Sequence, residues 1–232
     1  MNKNIEILAK TALFSGIAPE EIIVLLNCVN AKYSRFRKDD LIIEEGEDVR
    51  EFGIMLSGHA RSIKWDASDK IIIITLLNQG NEIGVLLAAR PGHKSSVWVQ
   101  AQDDVEVLQI SYDRMISRCK ENCPKHETML RNYISIVADK GLDLHERINC
   151  LLKPTLREKI ITYLLRESHE KQSRFFSIPM NRNVMAEYLN IERSALSREL
   201  SYMKRDGLID YHKNSFKLTG LSDIQLSSFS QR

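Results

Sequence analysis

The chain has 232 residues, 43% hydrophobic and 28% charged, enough for one large or two smaller packed domains of an ordinary soluble protein. No apolar run is long enough to span a bilayer, and four scattered cysteines exclude a disulfide scaffold. Net charge is +2 but uneven: residues 1–149 carry 19 Lys and Arg against 22 Asp and Glu, whereas 150–217 carry 13 against 8, the balance of a regulatory front and a nucleic-acid-binding rear.

From the N-terminus, Ser15-Gly16-Ile17-Ala18-Pro19-Glu20-Glu21 has the residues of a helix start. Ile22, Ile23, Leu25, Leu26 and Val29 then repeat at helical spacing. No basic stretch followed by an apolar run and a cleavage site precedes them, so a cytoplasmic location and no membrane partner are expected. Between Lys32 and Ser111 the pattern shortens to strand-like runs at 41–43, 52–56, 60–65, 71–77, 96–99 and 105–110. Turn residues separate them at Glu45 to Asp48, Ser57-Gly58, Asp66 to Asp69, Asn78 to Asn81 and Pro91-Gly92. Short β-rich runs at regular turn spacing predict an antiparallel barrel or sandwich. Cys119 and Cys123 form a C-x3-C pair, a spacing open to a metal or a redox role. Two helix-end thiols are the simpler reading, and no metal is expected.

After Tyr112 the period becomes helical. Leu130, Ile134, Val137, Gly141, Leu144, Ile148 and Leu151 follow one another at spacings of 4, 3, 4, 3, 4 and 3, a heptad seam. The seam predicts a parallel homodimer through this helix, while Met129, Tyr133 and Ile136 make a second apolar set suited to the barrel. Lys153-Pro154 reads as a hinge. Thr155 to Arg166 is a further amphipathic helix with Leu156, Ile160, Leu164 and Leu165 inward, and Ser168 to Arg174 a polar connection.

Asn181 caps a helix that runs to Leu189. Asn190-Ile191-Glu192 is a tight turn with Ile191 as its apolar plug. Arg193 to Lys204 is the next helix, with Ala195, Leu196, Leu200 and Met203 facing its neighbours. Residues 207–211 and 215–218 flank His212-Lys213-Asn214 as a hairpin. Helix, turn, helix and two-stranded wing define a winged helix-turn-helix. Its second helix turns Arg193, Ser194, Ser197 and Arg198 outward. Arginine can fork onto O6 and N7 of guanine, and serine can donate or accept. Arg182, Lys213 and Lys217 are placed for phosphates. The chain has no Gly-rich phosphate loop, no Ser/His/Asp set and no H-E-x-x-H, so it is not expected to be an enzyme.

Asn181 to Ile209 resembles the helix-turn-helix of the Crp/Fnr family. Gly80-Asn81-Glu82-Ile83-Gly84, Ser95-Ser96-Val97-Trp98-Val99 and Glu106 to Ser111 resemble that family's cyclic-nucleotide-binding β-roll, and Glu45-Gly46-Glu47 with Ser57-Gly58 extend the likeness forward. The resemblance implies an α+β chain: an antiparallel jelly-roll sensor with flanking helices over 1–123, a dimerisation helix and hinge over 124–152, and a winged helix-turn-helix over 153–232. It implies a homodimer on a pseudo-palindromic double-stranded DNA operator, with RNA polymerase as a further partner. It also implies a small-molecule effector seated against Gly84, Val85, Lys94, Ser95, Ser96, Lys140 and Gly141.

Cyclic-AMP-responsive members carry a Gly-Glu pair for the ribose and an Arg-Ser pair for the cyclic phosphate. Here Val85 stands at the glutamate position and Ser95 at the arginine position, so the effector is expected not to be cyclic AMP. Lys94 beside it cannot reproduce an arginine fork. Only Cys28 lies where iron–sulfur members group their cysteines. A ligand-sensing scaffold of the same fold, without sequence-specific DNA contact, is the rival reading; Arg193, Ser197 and Arg198 speak against it.

Overall fold

A computed structural model describes residues 3–65, 71–90, 92–117, 123, 125–178 and 180–220. The turn at Asp66 to Asp69, Pro91 and Cys119 fall outside them. The chain divides into two compact units, Met1–Gly141 and Leu142–Arg232.

The first unit begins with α1 (Lys3–Leu8), a 3-10 turn (Ala12–Phe14) and α2 (Pro19–Cys28). Proline at the first position of α2 lacks only an N–H that no carbonyl could accept, and the Ala18 N–H donates to Glu21 at 3.1 Å. The strands follow: β1 (Lys32–Phe36), β2 (Leu41–Ile43), β3 (Glu51–Ser57), β4 (Ala60–Trp65), β5 (Ile71–Leu77), β6 (Glu82–Ile83), β7 (Trp98–Ala101) and β8 (Val105–Ser111), with the short α3 (Val85–Ala88) after β6. They form two four-stranded antiparallel sheets, β1-β8-β3-β6 and β2-β7-β4-β5, the expected roll.

β3 and β8 are buried on both faces, and the period-2 alternation of strand side chains explains how. Phe52, Ile54, Leu56, Leu108 and Ile110 join the core made with α1 and α2. Met55, Val105 and Val107 point the other way, into the roll interior with Ile43, Val49, Ile83 and Val99. Gly53 sits where a Cβ would meet Val107 Cγ1 at 2.6 Å, so close sheet packing requires glycine there. The sequence reading has no strand at Lys32–Phe36: this edge strand reads Lys-Tyr-Ser-Arg-Phe and is mostly exposed, so its apolar signal is weak.

α4 (Tyr112–Ile116) leads to α5 (His126–Leu151). Met129, Tyr133 and Ile136 are buried in the helix-side core, as their spacing predicts. Leu130 and Val137 are half-buried against the same core, so these two members of the heptad seam are shared with the roll. Ile134, Leu144 and Ile148 remain 60%, 42% and 54% exposed.

The second unit takes the last turns of α5, then α6 (Leu156–Glu170), β9 (Phe175–Ser177), α7 (Arg182–Tyr188), α8 (Arg193–Arg205), β10 (Ile209–His212) and β11 (Ser215–Leu218). Thr155 caps α6 in a capping box with Glu158. The helix runs one turn beyond the predicted Arg166, burying Glu167. Its core is Ile160, Ile161, Tyr163 and Leu164, with Leu156 and Leu165 only half-buried. β10 and β11 pair as the wing, and β9 adds a third strand that the sequence reading does not assign.

Candidate functional site

The helix-turn-helix is built locally. Asn181 accepts from the N–H groups of Asn183 and Val184 and opens α7. In the connection Asn190 takes φ 50°, the Ile191 N–H reaches the Ala186 carbonyl at 2.9 Å, and Leu189 is fully buried. Leu189 is therefore the plug that the sequence reading assigns to Ile191, which is half-buried. Glu192 caps α8 by accepting from the Ala195 N–H at 2.9 Å and from the Ser194 hydroxyl. The Ser194 hydroxyl and the Ala195 and Ser194 N–H groups hold the Glu192 carboxyl below its ordinary range, with Arg198 adding a smaller pull.

Leu196, Leu200 and Met203 bury one side of α8. Arg193, Ser194, Ser197 and Arg198 are exposed on the other, and no ion pair among the described residues engages either arginine. Glu199, next to Arg198 in the sequence, is half-buried and ion-paired with Arg157 of α6, which also holds Asp206 at 2.8 Å. It does not neutralise the outer face. The face continues through Ser201, which bonds the Ser197 carbonyl at 2.9 Å, and Tyr202, with the Arg205 guanidinium 5.0 Å over its ring. The sequence reading missed these two; their i+3 and i+4 spacing from Arg198 was the available signal.

Arg182, expected at a phosphate, is half-buried. Its guanidinium lies 4.8 Å over Tyr211 and 4.9 Å over Phe216 and donates to the Lys213 carbonyl at 2.9 Å. Burial lowers its pKa. The wing aromatics thus hold it as a rivet between α7 and the β10–β11 hairpin. Lys213, in the left-handed conformation at the hairpin tip, and Lys217 are both exposed.

In the first unit a cleft of about 320 Å³ opens on the roll interior. Ile42, Ile43, Val49, Ile83 and Val107 form its apolar walls, with Gly53, and Glu47, Asp48, Arg50, Glu51 and Gln109 add polar groups. None of the seven residues expected at the effector is among them. A Cβ on Gly84 would come within 3.1 Å of Ile43 and 3.3 Å of Val49, so Gly84 backs the cleft. Val85 is buried in the helix-side core, where its carbonyl accepts from the Tyr133 hydroxyl at 2.6 Å.

Ser95 is buried and its hydroxyl bonds the Val97 carbonyl of its own loop at 2.7 Å, while its backbone joins Gly46 and Glu47. The Lys94 and Asp48 backbones pair as an isolated antiparallel β-bridge, and Ser96 is exposed. Lys140 pairs with Glu82 at 3.1 Å, and Gly141 is exposed with open space at its Cβ position. Asp48 is held below the ordinary carboxylate range by Arg50 and the Gly92 N–H. Among the described residues no group of three or more His, Cys, Asp or Glu side chains is gathered as a metal site, and no helix is long and apolar enough to cross a membrane.

A β-roll followed by a long helix and a winged helix-turn-helix is the build of a DNA-binding regulator with a sensor domain. Comparison with known proteins agrees. A cyclic nucleotide-binding domain model matches residues 33–122 and a Crp-like helix-turn-helix domain model matches 158–223, more than half of the chain between them. The cAMP-activated global transcriptional regulator CRP of Salmonella typhimurium is 22% identical over 190 residues, covering 80% of this chain and 89% of that protein, and the CRP of Klebsiella aerogenes gives the same figures. Among solved structures, a CooA mutant from Carboxydothermus hydrogenoformans superposes with a TM-score of 0.67 at 15% identity, covering 100% of this chain and 97% of that one. The c-di-GMP responsive global regulator CLP of Xanthomonas campestris gives 0.65 at 17% identity, covering 88% and 100%. The chain belongs to the Crp/Fnr family of transcription regulators.

Replacing Arg182 by alanine removes the cation between two rings and their shared wing contact. The second unit should lose about 1–2 kcal/mol, read as a lower thermal midpoint. An unchanged midpoint contradicts the rivet.

Proposed function

We propose that the protein is an effector-controlled homodimer that places α8 of each subunit in the major groove of a pseudo-palindromic double-stranded operator. The observation that carries this reading is the outward face of α8, where Arg193 and Arg198 stand exposed with Ser197 while the neighbouring Glu199 is turned to Arg157. Arg198 is the base reader and Ser197 its polar neighbour; Arg193, Lys213 and Lys217 contact phosphates. Ser194 divides its hydroxyl between the Glu192 cap and DNA. Arg182 acts mainly by fixing the wing that carries Lys213. The chain acts by binding rather than catalysis, in the cytoplasm, with RNA polymerase as a partner on the operator.

Residues 1–123 serve as sensor, 124–152 as dimerisation helix and hinge, and 153–232 as DNA-binding domain. Ile134, Leu144 and Ile148 supply an apolar stripe for a second α5, and open space at Gly141 allows close approach of that helix. The effector enters the roll cleft and is felt by α5 through the Glu82–Val85 corner. It is a small molecule other than cyclic AMP: Val85 offers no carboxylate for a ribose, and the Ser95 hydroxyl is already bonded to Val97.

Arg198→Ala should weaken binding to the selected operator by about 1–3 kcal/mol and relax preference at one base position in each half-site. Selection from a random DNA pool reads this; an unaltered consensus with unaltered stringency removes α8 from the reading role. Leu144→Lys sets like charges against each other across the two-fold axis and should give monomer in sedimentation at micromolar concentration. A persisting dimer places the interface elsewhere. Titration calorimetry with cyclic AMP at about 1 mM should give no saturable heat, and micromolar binding would refute the pocket reading.

A further inference from the structure

The outward face of α8 runs on past Arg198 to the end of the helix. Arg205 lies two turns further along the same stripe, about 10 Å down the axis. Helical side chains lean toward the N-terminus, and the Arg205 guanidinium accordingly lies back over the Tyr202 ring, 5.0 Å from its centroid. Tyr202 is 45% exposed, and no hydrogen bond among the described residues takes its hydroxyl.

The other charges of the last turn are already engaged. Lys204 holds Asp210 at 2.6 Å, and Asp206 holds Arg157 at 2.8 Å. Among the described residues no carboxylate pairs with Arg205. A guanidinium kept off carboxylates and ordered on a ring presents its planar N–H fork with little side-chain freedom left to lose. The phenol hydroxyl beside it adds a neutral donor. A cationic fork and a hydroxyl side by side suit the oxygens of a phosphate.

Their place on the helix says which phosphate. α8 has 13 residues and is about 20 Å long, while the major groove is about 12 Å wide. With the N-terminal half among the bases, the last turns come out at the groove's edge, beside the sugar-phosphate strand. That end carries the negative pole of the helix dipole, which repels a phosphate unless a cation covers it. Lys204 is committed to Asp210, which leaves that task to Arg205.

We propose that Tyr202 and Arg205 form a clamp for one DNA backbone phosphate in each half-site, outside the base pairs that Arg198 reads. The clamp rests on the reading of α8 as the recognition helix. Arg205 forks onto the phosphate oxygens, while Tyr202 stacks the guanidinium and donates its hydroxyl. The contact fixes how α8 sits in the groove and carries no base preference of its own.

Binding of the full chain to a selected operator and to random duplex, over a range of salt, tests it beside Arg198→Ala. Arg205→Ala should weaken binding to both duplexes about tenfold, lower the salt slope by about one per lost contact and leave the selected consensus unchanged. Arg205→Lys should restore the slope but only part of the affinity, because an ammonium keeps the charge without the fork. Tyr202→Phe should weaken binding about threefold at an unchanged slope. A neutral methylphosphonate at the flanking phosphate should reproduce the Arg205→Ala loss with the wild-type chain, which keeps the test sound should a variant fold poorly. Wild-type affinity and slope in Arg205→Ala, or no loss from a methylphosphonate at any flanking position, overturns the clamp while an altered Arg198→Ala consensus leaves the reading of α8 standing. A changed consensus in Arg205→Ala overturns it too, since Arg205 would then read a base. An Arg198→Ala consensus identical to that of the wild type overturns both the clamp and the reading.

Discussion

The hydroxyl of Tyr133 donating to the Val85 carbonyl decides which face of α5 the roll covers. The ring packs at a tilt against Phe52 and Tyr112 with centroids 4.8 and 5.6 Å away, and burial pushes its phenol well above the ordinary range, so it stays a neutral donor. Leaving that hydroxyl buried without its carbonyl costs about 1–3 kcal/mol, so rotation of the helix about its axis is opposed. With Tyr133, Met129 and Ile136 turned inward, helical periodicity leaves Ile134, Leu144 and Ile148 outside. Lys140 on Glu82 repeats the fastening two turns further on. The corner from Glu82 to Val85, directly behind the cleft wall at Gly84, is therefore bonded to the helix at two points.

The second unit holds the end of the same helix as firmly. The Arg147 guanidinium lies 4.3 Å over the Tyr188 ring and donates to the Tyr188 carbonyl at the end of α7, while Arg166 reaches the Tyr188 hydroxyl. Burial depresses the Arg147 pKa, a measure of how closely the cation is enclosed. Within the first unit α5 is bonded to the Glu82–Val85 corner, and within the second its last turns are bonded to the end of α7. Arg157 does related work on α8: it draws Glu199 and Asp206 toward α6 and leaves the outer face cationic.

Much of this was legible in the residues. The roll strands announced themselves because β-branched runs lie between Gly-rich turns, and α8 because its apolar 3–4 spacing leaves polar residues on one side only. β1 and β9 were missed for a common reason: Lys32–Phe36 and Phe175–Ser177 are short edge strands that take their pairing from a distant neighbour. The effector residues were placed by resemblance, and none of them lines the cleft; Ser95 turns back on its own loop and Val85 faces the helices. Arg182 reads as an exposed cation in sequence, and only the fold brings Tyr211 and Phe216 around it. The heptad seam is visible in sequence but not the sharing of Leu130 and Val137 with the roll.

The central claim is that two copies of α8 read DNA from one face of a dimer. Hydroxyl-radical and methylation-interference footprinting on a selected operator tests it most directly. The account predicts two guanine-containing major-groove patches, about one helical turn apart on one face of the duplex, with phosphate contacts flanking each. A single patch, or protection without periodicity or base interference, would contradict it.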